Sequence, residues 1–192
     1  MSLDVRLLYL INNLAGRSEL LDAAARLVVN DYFVPTTLAL ILLALWFSPG
    51  GPATRVRYQL MLFRTTLALL LANVLLKGLN LLYFRPRPFV TLDVTRCFYE
   101  PSDPSLPSNP ATVGFALATA VYLHHRPAGL VMFGLATLFA LGRVYCGVHY
   151  PSDIVAGALL GSLTAIAVVR WSGFLDPIWN GLIGVGRRLH LA

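Results

Sequence analysis

The chain has 192 residues, of which 57% are hydrophobic and 12% charged, and its net charge is +6. A soluble domain carries about 25% charged residues; here the apolar residues come in long runs, so a water-soluble enzyme is excluded and one membrane-embedded domain, residues 1–192, is expected. Lys77 is the single lysine and the other basic residues are arginines. No basic run is interleaved with aromatics, which excludes nucleic acid as a partner and leaves membrane topology and anion binding as uses for the charge.

Leu3 to Ala15 and Ser18 to about Asn30 read as two amphipathic helices, either lying along the membrane surface or packed as a hairpin on the bundle. Residues 1–17 contain Asp4, Arg6, Asn12 and Asn13 and lack the apolar core of a cleavable signal peptide. Tyr32 to Phe47 is apolar but short for a span of ~20 residues, so that span is expected to begin in the preceding helix. A Ser48–Pro52 turn leads to Leu60–Phe84, which is long enough to cross with tilt. After a Pro-rich polar loop, Arg85 to Asn109, come three further apolar runs: Pro110–Leu123, Ala128–Leu141 and Ile154–Trp171. The expected fold is therefore an all-α integral membrane bundle of about five to six transmembrane helices with N-terminal interfacial helices. If the spans alternate, Arg55, Arg57, Arg126, Arg170, Arg187 and Arg188 share one side, which the positive-inside rule makes cytoplasmic; Arg6, Arg17 and Arg26 argue the other way. His190 is expected in the cytoplasmic tail.

The opposite side collects the polar chemistry. Arg143, His149 and Asp153, in the order Arg-x5-His-x3-Asp, lie where one apolar run ends and the next begins. Ionisable groups at a membrane boundary are costly and mark functional sites. An arginine can clamp a phosphate with two parallel hydrogen bonds, a histidine can attack phosphorus, and an aspartate can hold that histidine in one tautomer. The Asn80–Phe89 segment, with Arg85 and Arg87, and the Pro107–Thr112 segment, with Ser108 and Asn109, are expected at the same depth. Cys97 and Cys146 fall on this side too, where a disulfide is allowed.

These three segments resemble the motifs of the type 2 phosphatidic acid phosphatase superfamily of membrane lipid phosphatases, over roughly residues 60–172. Glu100-Pro-Ser-Asp-Pro-Ser-Leu-Pro-Ser-Asn109 brings the resemblance nearest to undecaprenyl-diphosphate phosphatases of the bacitracin-resistance kind. The resemblance implies that Arg143 and Arg87 bind phosphate oxygens, that His149 is the nucleophile and that Asp153 orients it. It implies substrate-binding positions at Arg85, Lys77, Asn80, Ser108 and Asn109, with Arg85 equally readable as a contact to lipid headgroups. Two motif positions depart from the family. Asn80 stands where the family has lysine, and Lys77, one turn earlier on the same helix face, either replaces it or pairs within the bundle. Pro110 stands where the family has the histidine that protonates the leaving oxygen, and proline can neither donate nor accept that proton. Glu100, Asp103, Tyr145 and Tyr150 are the candidate substitutes; His124 and His125, about 20 Å away along a helix, are not.

The expected activity is removal of phosphate from a lipid phosphate or diphosphate, most naturally a polyprenyl diphosphate, at the outer face of a bacterial inner membrane. No metal and no cofactor are called for, because no carboxylate cluster of the magnesium-binding kind is present. The competing expectation is a catalytically silent relative that binds lipid phosphate or serves as a structural subunit, and a homodimer or a membrane-complex partner is compatible with either.

Overall fold

The computed structural model describes residues 1–49, 51–97 and 99–189. Its described residues form helices and no strand. In chain order they are α1 (Leu3–Asn12), α2 (Glu19–Val29), α3 (Phe33–Trp46), α4 (Pro52–Leu82), the single turn α5 (Pro88–Thr91), α6 (Asn109–Tyr122), α7 (Arg126–Tyr145), α8 (Pro151–Trp171) and, after a 3₁₀ turn at Ser172–Leu175, α9 (Asp176–Arg188). His190 lies outside the described residues. Helices α3, α4, α6, α7 and α8 coincide with the five apolar runs. Three segments are long and apolar enough to cross a bilayer by themselves: Pro52–Leu82, Arg126–Tyr145 and Pro151–Arg188. The short α3 is long and apolar enough to cross only together with α2, from which it is bent by 53°.

Proline punctuates these helices where its missing N–H costs nothing. Pro52, Pro110, Pro127, Pro151 and Pro177 all stand in first turns. Helix α6 is the centre of the bundle and packs against α4, α7 and α8. It is lined by small residues, with Ala111, Gly114, Ala116, Ala118 and Ala120 all buried. Gly157 and Gly161 of α8 let the two backbones meet: a Cβ on Gly157 would sit 2.5 Å from the Ser108 carbonyl oxygen, and one on Gly161 2.2 Å from that of Thr112. Small residues four apart are the way helices approach closely where lipid leaves no hydrophobic drive between them. The outward faces keep large apolar residues exposed, among them Leu70, Val74, Leu130 and Leu159, as a lipid-facing surface requires.

Helices α1 and α2 pack on the bundle through Leu8, Asn12 and Val29, all buried, and keep an exposed apolar face at Leu3, Leu10, Leu20 and Leu27. Both sit at the end of the bundle where α4 finishes and α8 starts, because Asp4 bonds Arg85 and Ser152 there. Arg6 lies on α1 with Asp4, Arg26 lies on α2 with Asp22, and Arg17 lies in the connection between them.

Candidate active site

Four helix ends and one loop converge at this end of the bundle. Arg143 occupies the last turn of α7, and its side chain is 4% exposed. The chain then turns through Gly147, whose φ of +68° suits glycine. The Val148 N–H returns to the Arg143 carbonyl at 3.0 Å, and His149 follows, 1% exposed. Pro151 opens α8, and Asp153 in its first turn is fully buried, accepting the Tyr150 N–H at 2.8 Å. The spacing of five and three residues thus has a local cause: a helix end, a glycine turn and a capped helix start bury three polar side chains at one end of the bundle.

His149 is held by one nitrogen. Its Nδ1 lies 2.9 Å from the Ser105 carbonyl oxygen and 3.6 Å from Asp153 Oδ2. A carbonyl can only accept, so Nδ1 carries the proton and Nε2 presents a lone pair. Nε2 faces Arg87 Nη1 at 3.2 Å. Burial pushes the imidazole pKa below its ordinary value; Asp153 opposes that shift, and the two arginines, Arg87 and Arg143, add to it. The ring is therefore neutral at neutral pH.

Asp153 is the hub beneath it. Oδ2 accepts the Ser105 hydroxyl at 2.5 Å, Oδ1 accepts Arg85 Nη1 at 2.5 Å, and the Asp153 backbone carbonyl accepts the Ser108 N–H at 3.0 Å. Arg85 is fully engaged here. It also binds Asp4 at 2.7 Å and lies 4.0 Å over the Tyr150 ring. Its guanidinium thus bonds Asp153, Asp4 and the Ser152 hydroxyl.

Two arginines border the open side. Arg87 donates through Nε to the Asp103 carbonyl at 2.9 Å, through Nη1 to the Val148 carbonyl at 3.0 Å, and through Nη2 to Asp103 Oδ1 at 2.9 Å. Arg143 pairs with Asp31, in the break between α2 and α3, at 2.6 Å. A hollow of about 290 Å³ opens beside Arg87 and Asp103, and its other wall is apolar, with Phe84, Phe89 and Val90.

The remaining expected residues are distributed unevenly. Ser108 stands at the N-cap of α6, fully buried, but its hydroxyl makes no cap bond and has no partner. Its backbone carbonyl accepts the Thr112 N–H and hydroxyl, both at 2.9 Å. Asn109 is exposed at the first position of α6, and Pro110 is half-buried. Asn80 is half-buried with an unpartnered Oδ1. Lys77 lies on the exposed face of α4, so pairing inside the bundle is ruled out. Among the candidate substitute acids only Asp103 reaches Arg87; Glu100 pairs with Arg96, the Tyr145 hydroxyl donates to Asp22 at 2.6 Å, and Tyr150 meets Thr91 at 3.1 Å. Ser105, Asp31, Asp4 and Ser152 were not legible as site residues, since no motif spacing marks them.

With this geometry in view, comparison with known proteins places the chain. The model of the PAP2 superfamily matches residues 61–176. The chain belongs to the PAP2 superfamily. It is 32% identical to undecaprenyl-diphosphatase BcrC of Bacillus subtilis (strain 168) over 87% of this chain and 83% of that one. It is 29% identical to the putative undecaprenyl-diphosphatase YbjG of Escherichia coli (strain K12), over 94% and 89% respectively. Among solved structures, Aquifex aeolicus LpxE superposes with a TM-score of 0.69 at 27% identity, covering 89% of this chain and 97% of that one. The first transmembrane PAP2-type phosphatidylglycerolphosphate phosphatase from Bacillus subtilis shares the fold, with a TM-score of 0.58 at 23% identity over 88% and 84%. This PAP2 protein is accordingly an integral membrane protein, and Arg85, Arg87, Arg143, His149 and Asp153 all lie within the matched region.

Proposed function

We propose that this PAP2 protein is a lipid phosphatase that removes the terminal phosphate of a polyprenyl diphosphate through a phosphohistidine at His149. The observation that carries the reading is the fixed tautomer: Nδ1 is committed to the Ser105 carbonyl at 2.9 Å, so Nε2 is an unprotonated nucleophile facing Arg87. The substrate's terminal phosphate enters between Arg87 and Arg143, taking over guanidinium hydrogens now directed at Asp103, Asp31 and Nε2. The N-terminus of α6 and the unpartnered Ser108 hydroxyl add donors. Nε2 attacks phosphorus in line, the bridging P–O bond breaks, and the lipid monophosphate leaves with the electron pair. Asp153, 3.6 Å from Nδ1, stabilises the positive charge that grows on the ring. Water then attacks the phosphohistidine, releasing inorganic phosphate and restoring the imidazole.

Pro110 decides the leaving group. No histidine stands there to protonate an alkoxide, and general acid help is worth about 10²–10⁴-fold. A departing phosphate, whose second ionisation falls near pH 6, needs little of that help. A diphosphate is therefore favoured over a lipid monophosphate. The names of the relatives BcrC and YbjG support the same class. The 290 Å³ hollow, with Phe84, Phe89 and Val90, suits the first units of the lipid chain.

The orientation follows from charge. Arg55 and Arg57 at the start of α4, Arg126 at the start of α7 and Arg170 at the end of α8 share the end remote from His149, and all are exposed. That end faces the cytoplasm and the site faces the periplasm or exterior of a bacterial inner membrane. The whole chain acts as a single domain.

The test is phosphate release from undecaprenyl diphosphate and from undecaprenyl monophosphate, with acid-labile, base-stable phosphoprotein trapped in parallel. Turnover of the diphosphate with a trapped intermediate that vanishes in His149→Ala is the expected result, and Pro110→His should accelerate the monophosphate preferentially. Lipid-phosphate binding without turnover, with activity in Pro110→His alone, would instead establish a silent binding protein.

A further inference from the structure

Cys97 and Cys146 take no part in the phosphatase reading, yet the fold builds a close approach around them. Cys146 caps the C-terminus of α7 and is fully buried; Cys97, half-buried in the loop after α5, packs against it. The backbones that carry them are stitched by one buried side chain. Asn12 of α1 donates to the Thr95 carbonyl at 2.7 Å and to the Tyr145 carbonyl at 2.7 Å, and accepts the Thr95 N–H at 2.9 Å. One residue beyond Cys146, a Cβ on Gly147 would lie 2.8 Å from Val94 Cγ2. The strand of chain at 94–97 therefore lies directly on the turn at 145–147. Both are free thiols, and Cys97 packs against the apolar cluster that Cys146 forms with Ala15, Val29 and Tyr145.

We infer that Cys97 and Cys146 are a disulfide-forming site that staples the Ser105-bearing loop to the turn that carries His149. The half-exposed Cys97 reacts first: its thiolate attacks a small-molecule or protein disulfide, forming a mixed disulfide and expelling one thiol. The Cys146 thiolate then attacks the Cys97 sulfur, forming the internal bond and expelling the second thiol. Two electrons and two protons pass to the oxidant, which ends as two thiols. Burial raises the pKa of both cysteines, so neither is a ready thiolate at neutral pH. The bond therefore forms slowly and suits a permanent staple better than a fast redox sensor. It would close a loop that includes Asp103, Ser105 and all of α6 and α7, tying the partners of His149 to one another.

The experiment uses the full chain in detergent, first reduced, then exposed to oxidised glutathione, denatured, alkylated and mapped by mass spectrometry. The expected product is a Cys97–Cys146 cross-linked peptide pair and a chain lighter by two hydrogens. Cys146→Ser should stop at a stable glutathione adduct on Cys97, and Cys97→Ser should leave Cys146 unmodified. The oxidised wild type should unfold about 5–10 °C higher than the reduced form, a shift absent in Cys97→Ser. The inference is overturned if both wild-type thiols remain alkylatable, if the wild type itself stops at the Cys97 adduct, or if oxidation leaves the unfolding midpoint unchanged. None of these readouts involves turnover, so the result stands apart from the phosphatase assay.

Discussion

The two ends of this bundle both carry arginines and use them in opposite ways. At the remote end Arg55, Arg57, Arg126, Arg170, Arg187 and Arg188 are all exposed. At the site end Arg87 and Arg143 are 5% and 4% exposed, and each pairs with a rim carboxylate, Asp103 or Asp31. Arg85, a little more open, is shared between Asp153 and Asp4. A topology signal needs only charge in water, whereas a phosphate seat needs desolvated guanidiniums, and desolvated charge must be compensated. The acids at the site end are the structural cost of keeping three arginines there before substrate arrives.

The largest break in that contrast should come from its two histidine regions. His149→Ala is expected to lower kcat about 10⁴-fold or more in a phosphate-release assay, while His125→Ala, at the N-cap of α7, should leave kcat unchanged and cost about 1 kcal/mol in stability. Because burial lowers the His149 pKa, its neutral form persists as pH falls through the ordinary imidazole value near 6.5. The acid limb of kcat/KM assigned to His149 should therefore lie below that value. The sign for stability is the same: between the two pKa values the unfolded chain binds the proton and the folded one does not, so stability declines as pH falls through that window.

Asp153→Asn comes next. It removes the charge that answers Arg85 and sits 3.6 Å from Nδ1, and should lower kcat about 10²–10³-fold with a loss of about 3 kcal/mol in unfolding experiments. Arg87→Lys and Arg143→Lys keep the charge but lose the planar fork, and should lower kcat/KM about 10²-fold. Arg126→Lys, at the remote end, should change it less than about twofold. The smallest effect tests the rim acids. Asp103→Asn or Asp31→Asn frees a guanidinium from a half-exposed partner and should tighten binding of inorganic phosphate about 2–5-fold, measured by calorimetry. No tightening in either variant would mean that these carboxylates do not stand in the anion's place.

Much of this was legible before any coordinates. The apolar runs gave five helices in place because hydrogen bonds must close within each segment in lipid, leaving helix as the form for such runs. The Arg143–His149–Asp153 spacing was legible because it is local, spread across a single helix–turn–helix joint. What spacing misread was partnership. Arg85 precedes a proline beside Arg87, so sequence offers no reason to separate their roles, yet one guanidinium turns to Asp153 and the other to His149. Lys77 shares a helix face with Asn80 by counting, but it ends on the exposed side of α4.

The amino-acid sequence by itself determined the membrane class, the order of spans, the family motifs and the absence of a proton donor at Pro110, because each depends on composition or on neighbours a few residues apart. Only the tertiary structure decided which nitrogen of His149 faces Arg87 and which acids neutralise Arg87 and Arg143. Ser105 and His149 are 44 positions apart and Asp31 and Arg143 112, and side chains that distant are brought together by helix packing, which leaves no periodicity in the chain to read.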